Sequence, residues 1–349
     1  MSYAAVLGYG TVGSGTVEFF RKNKAAIEKR AGQPFNIKYV LDTRDLRGTE
    51  AESLAVTDFS VIENDPEVTV VAEVIGGATF AYDFAKRAIK AGKSLITSNK
   101  ELVATKGAEL LKLANENGVH FSFEASVGGG IPVIRPIKQC LSTDVLQSVS
   151  GILNGTTNYI LTRMENDSIT FQQALKQAQD LGYAERDPSA DVLGHDTCRK
   201  ICILASLAFG RQVYPESVST AGIDKITLDD IRQADKDGYK IKLLGAAKRV
   251  EDGVSVITAP FLVPKSNQLA NVGDVFNAVL LEGESTGDVM FYGRGAGKMP
   301  TASAVASDMV NAVKTNADRS APLPWVDSGS QAFVKPWQSG TSGNILTLE

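Results

Sequence analysis

The chain has 349 residues, of which 43% are hydrophobic and 22% charged, with a formal net charge of −4. That composition fits a globular protein of one large or two medium domains, and its weak acidic balance argues against nucleic acid or an anionic membrane as partner. Three cysteines (Cys140, Cys198 and Cys202), no run near the ~20 apolar residues of a membrane span, and a glycine loop too early for a signal peptide point to a cytoplasmic protein.

In chain order, YAAVLG (3–8) is a short apolar strand and GYGTVGSG follows it at once. TVEFFRKNKAAIEKRAG then reads as one long helix, and NIKYVLDTRD as a strand that leaves the core into charge. VTVVAEVIGG (68–77) suits a strand buried on both faces, and FAYDFAKRAIKAGKS an amphipathic helix ending at Gly92. SLITSNK is a further strand, GAELLKLANENG a helix, and VHFSFEASVGGGIP a strand running into glycines. Strand and helix alternating at short spacing predict an α/β, Rossmann-type doubly wound parallel sheet over residues 1–132.

After Pro132 the pattern changes. VIRPIKQCL is helical, and DVLQSVSGILNGTTNYILTRME passes from strand through an NGTTN turn into a helix. ITFQQALKQAQDLGYA and ICILASLAFG are helices, the second buried, and YKIKLLGAAKRVEDGVSVITAPFLV is two antiparallel strands joined at EDG. Residues 133–292 therefore predict an α+β substrate-binding and dimerisation domain with a mixed or antiparallel sheet. A second glycine loop and helix, about residues 293–315, are expected to complete the first domain, and 316–349 to form a Ser-, Gly- and Pro-rich tail.

Gly8-Tyr9-Gly10-Thr11-Val12-Gly13 matches G-x-G-x-x-G between a first strand and a first helix. Gly8 allows the tight turn, Gly10 lets backbone approach a pyrophosphate, and Gly13 permits close helix–strand packing. The helix N-terminus adds free N–H groups for phosphate. Asp42 ends the second strand and could accept from a ribose hydroxyl, while Arg44 or Arg47 could pair with a 2′-phosphate. The sequence accommodates both NAD and NADP.

Thr97-Ser98-Asn99-Lys100 ends a strand of the same sheet. Ligands of open parallel sheets lie beyond the strand carboxyl ends, so Lys100 is either a crevice lysine or a solvent lysine on a loop. In Phe123–Pro132 three glycines fold the backbone tightly and Glu124 adds a carboxylate, which suits either a hard cation or an interdomain hinge.

The charged stretch YAERDPSADVLGHDTCRK (183–200) runs into ICILASLAFG, with a helix expected from about Val192–Gly194 to Phe209. Cys198, Ile201, Cys202, Ala205 and Phe209 form one stripe, and Asp196, Lys200, Ile203 and Leu207 the next. Asp196 and Lys200 thus continue an apolar stripe, either turned inward or forming an exposed i,i+4 pair. Glu185, Asp187 and Asp191 precede them. A lysine of reduced solvation beside carboxylates is a usable proton shuttle.

With GYGTVGSG, TSNKELV (97–103), FEASVGGGIPVI (123–134), GILNGTTNYIL (151–161), LGYAERDPSADVLGHDTCRK (181–200) and GRGAGKMPTASAVASD (293–308), the chain resembles the homoserine dehydrogenases from residue 3 to about 313. The resemblance implies reversible, NAD- or NADP-dependent interconversion of L-homoserine and L-aspartate 4-semialdehyde, on the route to threonine and methionine. It makes Lys200 the proton donor and acceptor, and places Lys100 by substrate and nicotinamide. It assigns Glu185 and Asp196 to hold the substrate, puts Asp191 in the same acidic lining, and brings Ser98, Gly182, Gly295 and Gly297 to the cofactor. It implies a sodium ion at Glu124 with the carbonyls of Val127, Gly129 and Ile131, and a homodimer formed through the second domain. Longer members carry a C-terminal ACT-type regulatory domain; only the tail after Val313 stands in its place here, which implies no threonine feedback through such a domain. His195 falls outside the matched set.

Two rival readings are weaker. Oxidation through a thiohemiacetal needs an activated cysteine with a histidine partner, and Cys140 has no histidine near it in sequence. A nucleotide-sensing regulator that has lost catalysis would not be expected to keep Lys100, Glu185, Asp196 and Lys200 together.

Overall fold

The first apolar run forms β1 (Ser2–Leu7), whose residues Ala4–Leu7 are fully buried because parallel strands flank it on both sides. The computed structural model describes residues 2–314, 325–338, 341–342 and 345–348. Of the expected tail, residues 316–324, 339–340, 343–344 and 349 lie outside the described residues. The chain divides into two units: Met1–Arg135 with Ala296–Asp327, and Pro136–Gly295 with Ser328–Glu349.

In the first unit β1 is followed by α1 (Thr11–Lys22), α2 (Lys24–Ala31), β2 (Phe35–Leu41), β3 (Ala55–Val56), α3 (Phe59–Glu63), β4 (Val68–Glu73), α4 (Thr79–Lys90), β5 (Ser94–Thr97), α5 (Lys100–Glu116) and β6 (Phe121–Ser122). The six strands pair in parallel in the order β3-β2-β1-β4-β5-β6. The order turns outward in both directions from β1 and β4, as in a Rossmann-type doubly wound sheet. A returning helix, Lys298–Lys314, packs on α1 and α2, and its Val305 and Met309 join Val6, Phe20, Val70 and Ile96 in one core.

Three local readings change. The expected first helix is two, because Asn23 turns its side chain back onto the Phe19 carbonyl at 3.0 Å and competes with the helical ladder. The strand expected across VHFSF is only two residues long before the chain turns at Glu124. VIRPIKQCL contains a single wide turn at Pro136–Cys140, closed by Leu141 N–H on the Pro136 carbonyl.

The second unit holds β7 (Leu146–Ile152), α6 (Gly155–Asp167), α7 (Phe171–Asp180), α8 (Ser189–Val192), α9 (His195–Phe209), β8 (Ser219–Thr220), α10 (Leu228–Lys236), β9 (Tyr239–Val250), β10 (Gly253–Pro264), β11 (Phe276–Gly283) and β12 (Gly287–Arg294). Short strands β13 (Val334–Lys335), β14 (Thr341–Ser342) and β15 (Ile345–Thr347) follow. Its sheet is mixed, ordered β12-β11-β7-β9-β10-β15-β14, with β8 and β13 also pairing β10. The EDG hairpin is observed, Gly253 pairing with Val250. Helices α6, α9 and α10 pack on the sheet. Every α9 residue from Asp196 to Leu207 except Arg199 is buried. Among the described residues no helix is long and apolar enough to cross a membrane.

Candidate active site

The glycine loop has the geometry its spacing requires. Gly8 takes φ +96°, and a Cβ there would sit 3.1 Å from Ile75 Cα. A Cβ on Gly13 would lie 1.9 Å from the Gly8 carbonyl oxygen, so only glycine lets α1 start so close to β1. Gly10 faces open space. It precedes α1, whose first turn has no side-chain cap, leaving the amides of Thr11, Val12 and Gly13 to bind an anion.

Asp42 lies just past β2. Its carboxylate accepts Tyr9 N–H at 2.7 Å and Arg44 N–H at 2.9 Å, and takes Arg44 Nε and Nη2 at 2.9 and 2.8 Å. Arg44 above all, helped by the two backbone donors, holds the Asp42 carboxyl well below the usual range. Arg47 pairs with Asp45 instead. Asp42 and Arg44, the two residues the sequence offers for a ribose hydroxyl or a 2′-phosphate, are therefore bonded to one another.

Ser98 and Lys100 follow β5, and Lys100 opens α5 behind the cap residue Asn99, whose Oδ1 accepts Leu102 N–H at 3.1 Å. Glu124 is buried, and both its oxygens are engaged: Val133 and Ile134 N–H at 2.6 and 2.8 Å on one, Arg135 N–H at 2.8 Å on the other. The carboxylate thus fastens the chain where it leaves the glycine turn. Val127, Gly129 and Ile131 are buried, and no donor among the described residues bonds their carbonyls. Carbonyls with no protein donor are oxygen ligands of the kind a hard cation takes. Among the described residues no cluster of three or more His, Cys, Asp or Glu could hold a metal.

In the second unit Asp191, Asp196 and Lys200 meet at one point. Lys200 Nζ donates to the Leu153 carbonyl at 2.7 Å and lies 2.8 Å from Asp196 Oδ2. Asn154, at the end of β7, donates from Nδ2 to Asp191 Oδ1 at 2.7 Å and to Asp196 Oδ2 at 2.9 Å. Its Oδ1 caps α6 by accepting Thr157 N–H at 2.8 Å. Asp196 and Lys200 are 3% and 7% exposed, which removes the surface-pair alternative.

Glu185 is not bonded into this cluster. It is exposed on the loop after α7, where Gln179 Nε2 donates to its carbonyl at 3.2 Å. Gly182 is exposed at φ +74°. Gly295 sits where a Cβ would lie 2.1 Å from Asn277 Nδ2, and Gly297, in the first unit, takes φ +123°. His195 is exposed at the start of α9.

Asn154 is the residue the motif reading left without a role. Its signal was present, because an Asn between an apolar strand and a helix, three positions before a Thr, is a cap pattern. Glu73, fully buried at the end of β4, was missed as well. A carboxylate ending an apolar strand reads as a strand leaving the core.

A doubly wound parallel sheet with a glycine turn suited to a phosphate, and a second unit that carries a buried Lys–Asp–Asn cluster, together define a dinucleotide-dependent oxidoreductase. Residues 8–124 match the family model described as "Homoserine dehydrogenase, NAD binding domain", and residues 132–310 the one described as "Homoserine dehydrogenase". The chain is 42% identical to homoserine dehydrogenase of Pseudomonas aeruginosa over 310 residues, covering 88% of this chain and 71% of that protein. It is 44% identical to the Bacillus subtilis enzyme over 313 residues, covering 88% and 72%. The crystal structure of a homoserine dehydrogenase from Thiobacillus denitrificans aligns with a TM-score of 0.89 at 37% identity, covering 96% of this chain and 79% of that one. The chain belongs to the homoserine dehydrogenase family, nicotinamide-dependent oxidoreductases of amino-acid biosynthesis.

Proposed function

We propose that the chain interconverts L-homoserine and L-aspartate 4-semialdehyde, with Lys200 moving the proton at the substrate oxygen. The observation that carries this reading is the buried ammonium of Lys200 on Asp196, held from the other side by the Leu153 carbonyl. In reduction the new alkoxide needs a proton and a cation beside it, and Lys200 supplies both. In oxidation Lys200 takes the proton back, while Asp196 stabilises the charged lysine. Glu185, exposed on its loop, and Asp196 hold the substrate through its ammonium, and Asp191, joined to Asp196 through Asn154, lies in the same acidic lining. Lys100 assists the same chemistry from the start of α5. When bound, the nicotinamide supplies the hydride.

For the dinucleotide, the glycine turn Gly8–Gly13 receives the pyrophosphate, with Ser98, Gly182, Gly295 and Gly297 as further contacts. Asp42 and Arg44 favour use of both NAD and NADP, Asp42 for a ribose hydroxyl and Arg44 for a 2′-phosphate. A sodium ion suits the unbonded carbonyls of Val127, Gly129 and Ile131; Glu124 then supports the turn through its three backbone bonds.

A homodimer through the second sheet is part of the same reading. The wall formed by Ser148, Ser150, Ala246, Lys248, Leu280 and Glu282 lines a hollow of about 440 Å³, and edge strand β12 leaves Met290 and Tyr292 exposed. The three cysteines are free thiols, Cys140 exposed and the others buried, which suits a reducing, cytoplasmic setting.

Steady-state assay tests the reading. NAD(P)H should appear with L-homoserine at alkaline pH and disappear with L-aspartate 4-semialdehyde near neutrality. No turnover in either direction would refute it. Sedimentation velocity at working concentration should give a dimer.

A further inference from the structure

We propose that Glu73 is a positioning residue for dinucleotide binding: its buried carboxylate locks together the two loops that follow β4 and β5. Glu73 and Thr97 are the last paired residues of those neighbouring strands and stand opposite each other in register. Glu73 is fully buried, and no cation pairs with it among the described residues. A buried carboxylate persists only where donors converge on it. Here Oε1 accepts Ile75 N–H at 2.8 Å and Oε2 lies 2.6 Å from Thr97 Oγ1. Burial still leaves its carboxyl raised above the ordinary value.

The bonds continue outward from that carboxylate. Thr97 Oγ1 accepts Asn99 N–H at 2.9 Å, so the threonine proton points to Glu73. Asn99 Nδ2 donates to the Gly77 carbonyl at 2.6 Å, and Asn99 Oδ1 caps α5. One carboxylate thus fixes Ile75 directly and, through Thr97 and Asn99, fixes Gly77 and the first turn of α5 where Lys100 sits. Gly76 and Gly77 have φ of +91° and +70°, in a stretch that glycine leaves conformationally permissive and that these ties restrain. Ile75 Cα and the Val74 carbonyl would lie 3.1 and 3.2 Å from a Cβ on Gly8. The pinned loop therefore forms the wall against which the phosphate-binding glycine turn rests.

The direction of these bonds separates a charged carboxylate from a merely space-filling side chain. In Glu73→Gln the amide can still accept from Ile75, but its NH2 then meets Thr97 Oγ1. The Thr97 hydroxyl, which donates to Glu73 in the native chain, then loses its acceptor. Thr97→Val removes the link with little change of volume, and Thr97→Ser keeps it.

The test is direct titration of NADPH and NADH into the full-length variants, followed by nicotinamide fluorescence, with circular dichroism verifying the folded fraction. E73Q and T97V are expected to raise Kd about tenfold, and T97S to stay within about twofold of wild type. An unchanged Kd in T97V, or an equal rise in T97S, overturns the proposal even if thermal stability falls. Should E73Q fail to fold, the T97V and T97S pair decides alone.

Discussion

Lys200 Nζ and Asp196 Oδ2 lie 2.8 Å apart, one turn apart on α9, with side chains only 9% and 5% exposed. Breaking a buried pair from one side leaves an uncompensated charge, which costs on the order of 3–5 kcal/mol. Replacing Lys200 should therefore lower stability as well as remove the proposed proton transfer, and the two effects can be separated. K200M is expected to lower kcat by about 10²–10⁴-fold, the range of a lost proton-transfer group, and to lower Tm. The double variant K200M/D196N should recover most of the Tm and none of the turnover, with NADPH affinity near wild type. A K200M enzyme with near wild-type kcat would remove Lys200 from the chemistry.

Asn154 binds two carboxylates through one amide nitrogen while capping α6 through its oxygen. Its two functions can be tested separately. N154D keeps an oxygen for Thr157 N–H but presents a third carboxylate to Asp191 and Asp196. It should retain the cap and lose kcat/KM for the substrate by about 10²-fold, the scale of a misplaced reacting group. N154A removes the cap, worth about 1 kcal/mol, and should lower Tm more than a capping aspartate does. Equal kinetics in N154D and wild type would mean that the amide does not organise the acidic pair.

These residues also mark how far sequence reasoning reached. The inward turn of Asp196 and Lys200 was legible because helical periodicity ties them to Ile203 and Leu207. The parallel sheet was legible for a similar reason: apolar runs such as VTVVAEV alternate with amphipathic helices. The partner of Asp196 was not legible, because Asn154 lies 42 positions away and only the tertiary fold brings β7 against α9. Neither was the Asp42–Arg44 fork, since residues two apart bond only when a turn folds one over the other. The break at Asn23 escaped for a local reason: asparagine is tolerated in helices, and its competing bond depends on a side-chain rotamer.

The Asp42–Arg44 pair sets an expectation for cofactor choice. Arg44 is bonded at two points to Asp42, so a 2′-phosphate would have to draw it away, and a ribose diol would have to share the carboxylate. R44A should raise KM for NADP by about tenfold, the order of a lost charged contact, and leave KM for NAD within about twofold. D42A should release Arg44 and shift kcat/KM toward NADP. Measuring kcat/KM for both dinucleotides with each variant checks this, and an R44A enzyme unchanged with NADP would refute the assignment.

Lys242 gives a prediction about stability and pH. It is 2% exposed on β9, and its ammonium donates to the Val272 carbonyl at 2.7 Å and to Asn158 Oδ1 at 3.3 Å. Burial lowers its pKa from 10.5 to about 8, while Glu165 and Asp274 oppose the shift only partly. Because the folded value lies below the unfolded one, the unfolded chain binds more protons between them. The contribution of this group to stability therefore rises as pH increases from about 8 to 10.5 and is constant outside that window. The difference corresponds to about 3 kcal/mol across the window. K242M has no such titration and keeps the Val272 carbonyl bonded through Asn158 Nδ2 at 3.2 Å. Urea unfolding of wild type and K242M at matched pH values should give a free-energy difference that changes by roughly that amount in favour of wild type from pH 8 to 10.5. A difference independent of pH would mean that Lys242 keeps an ordinary pKa in the folded chain.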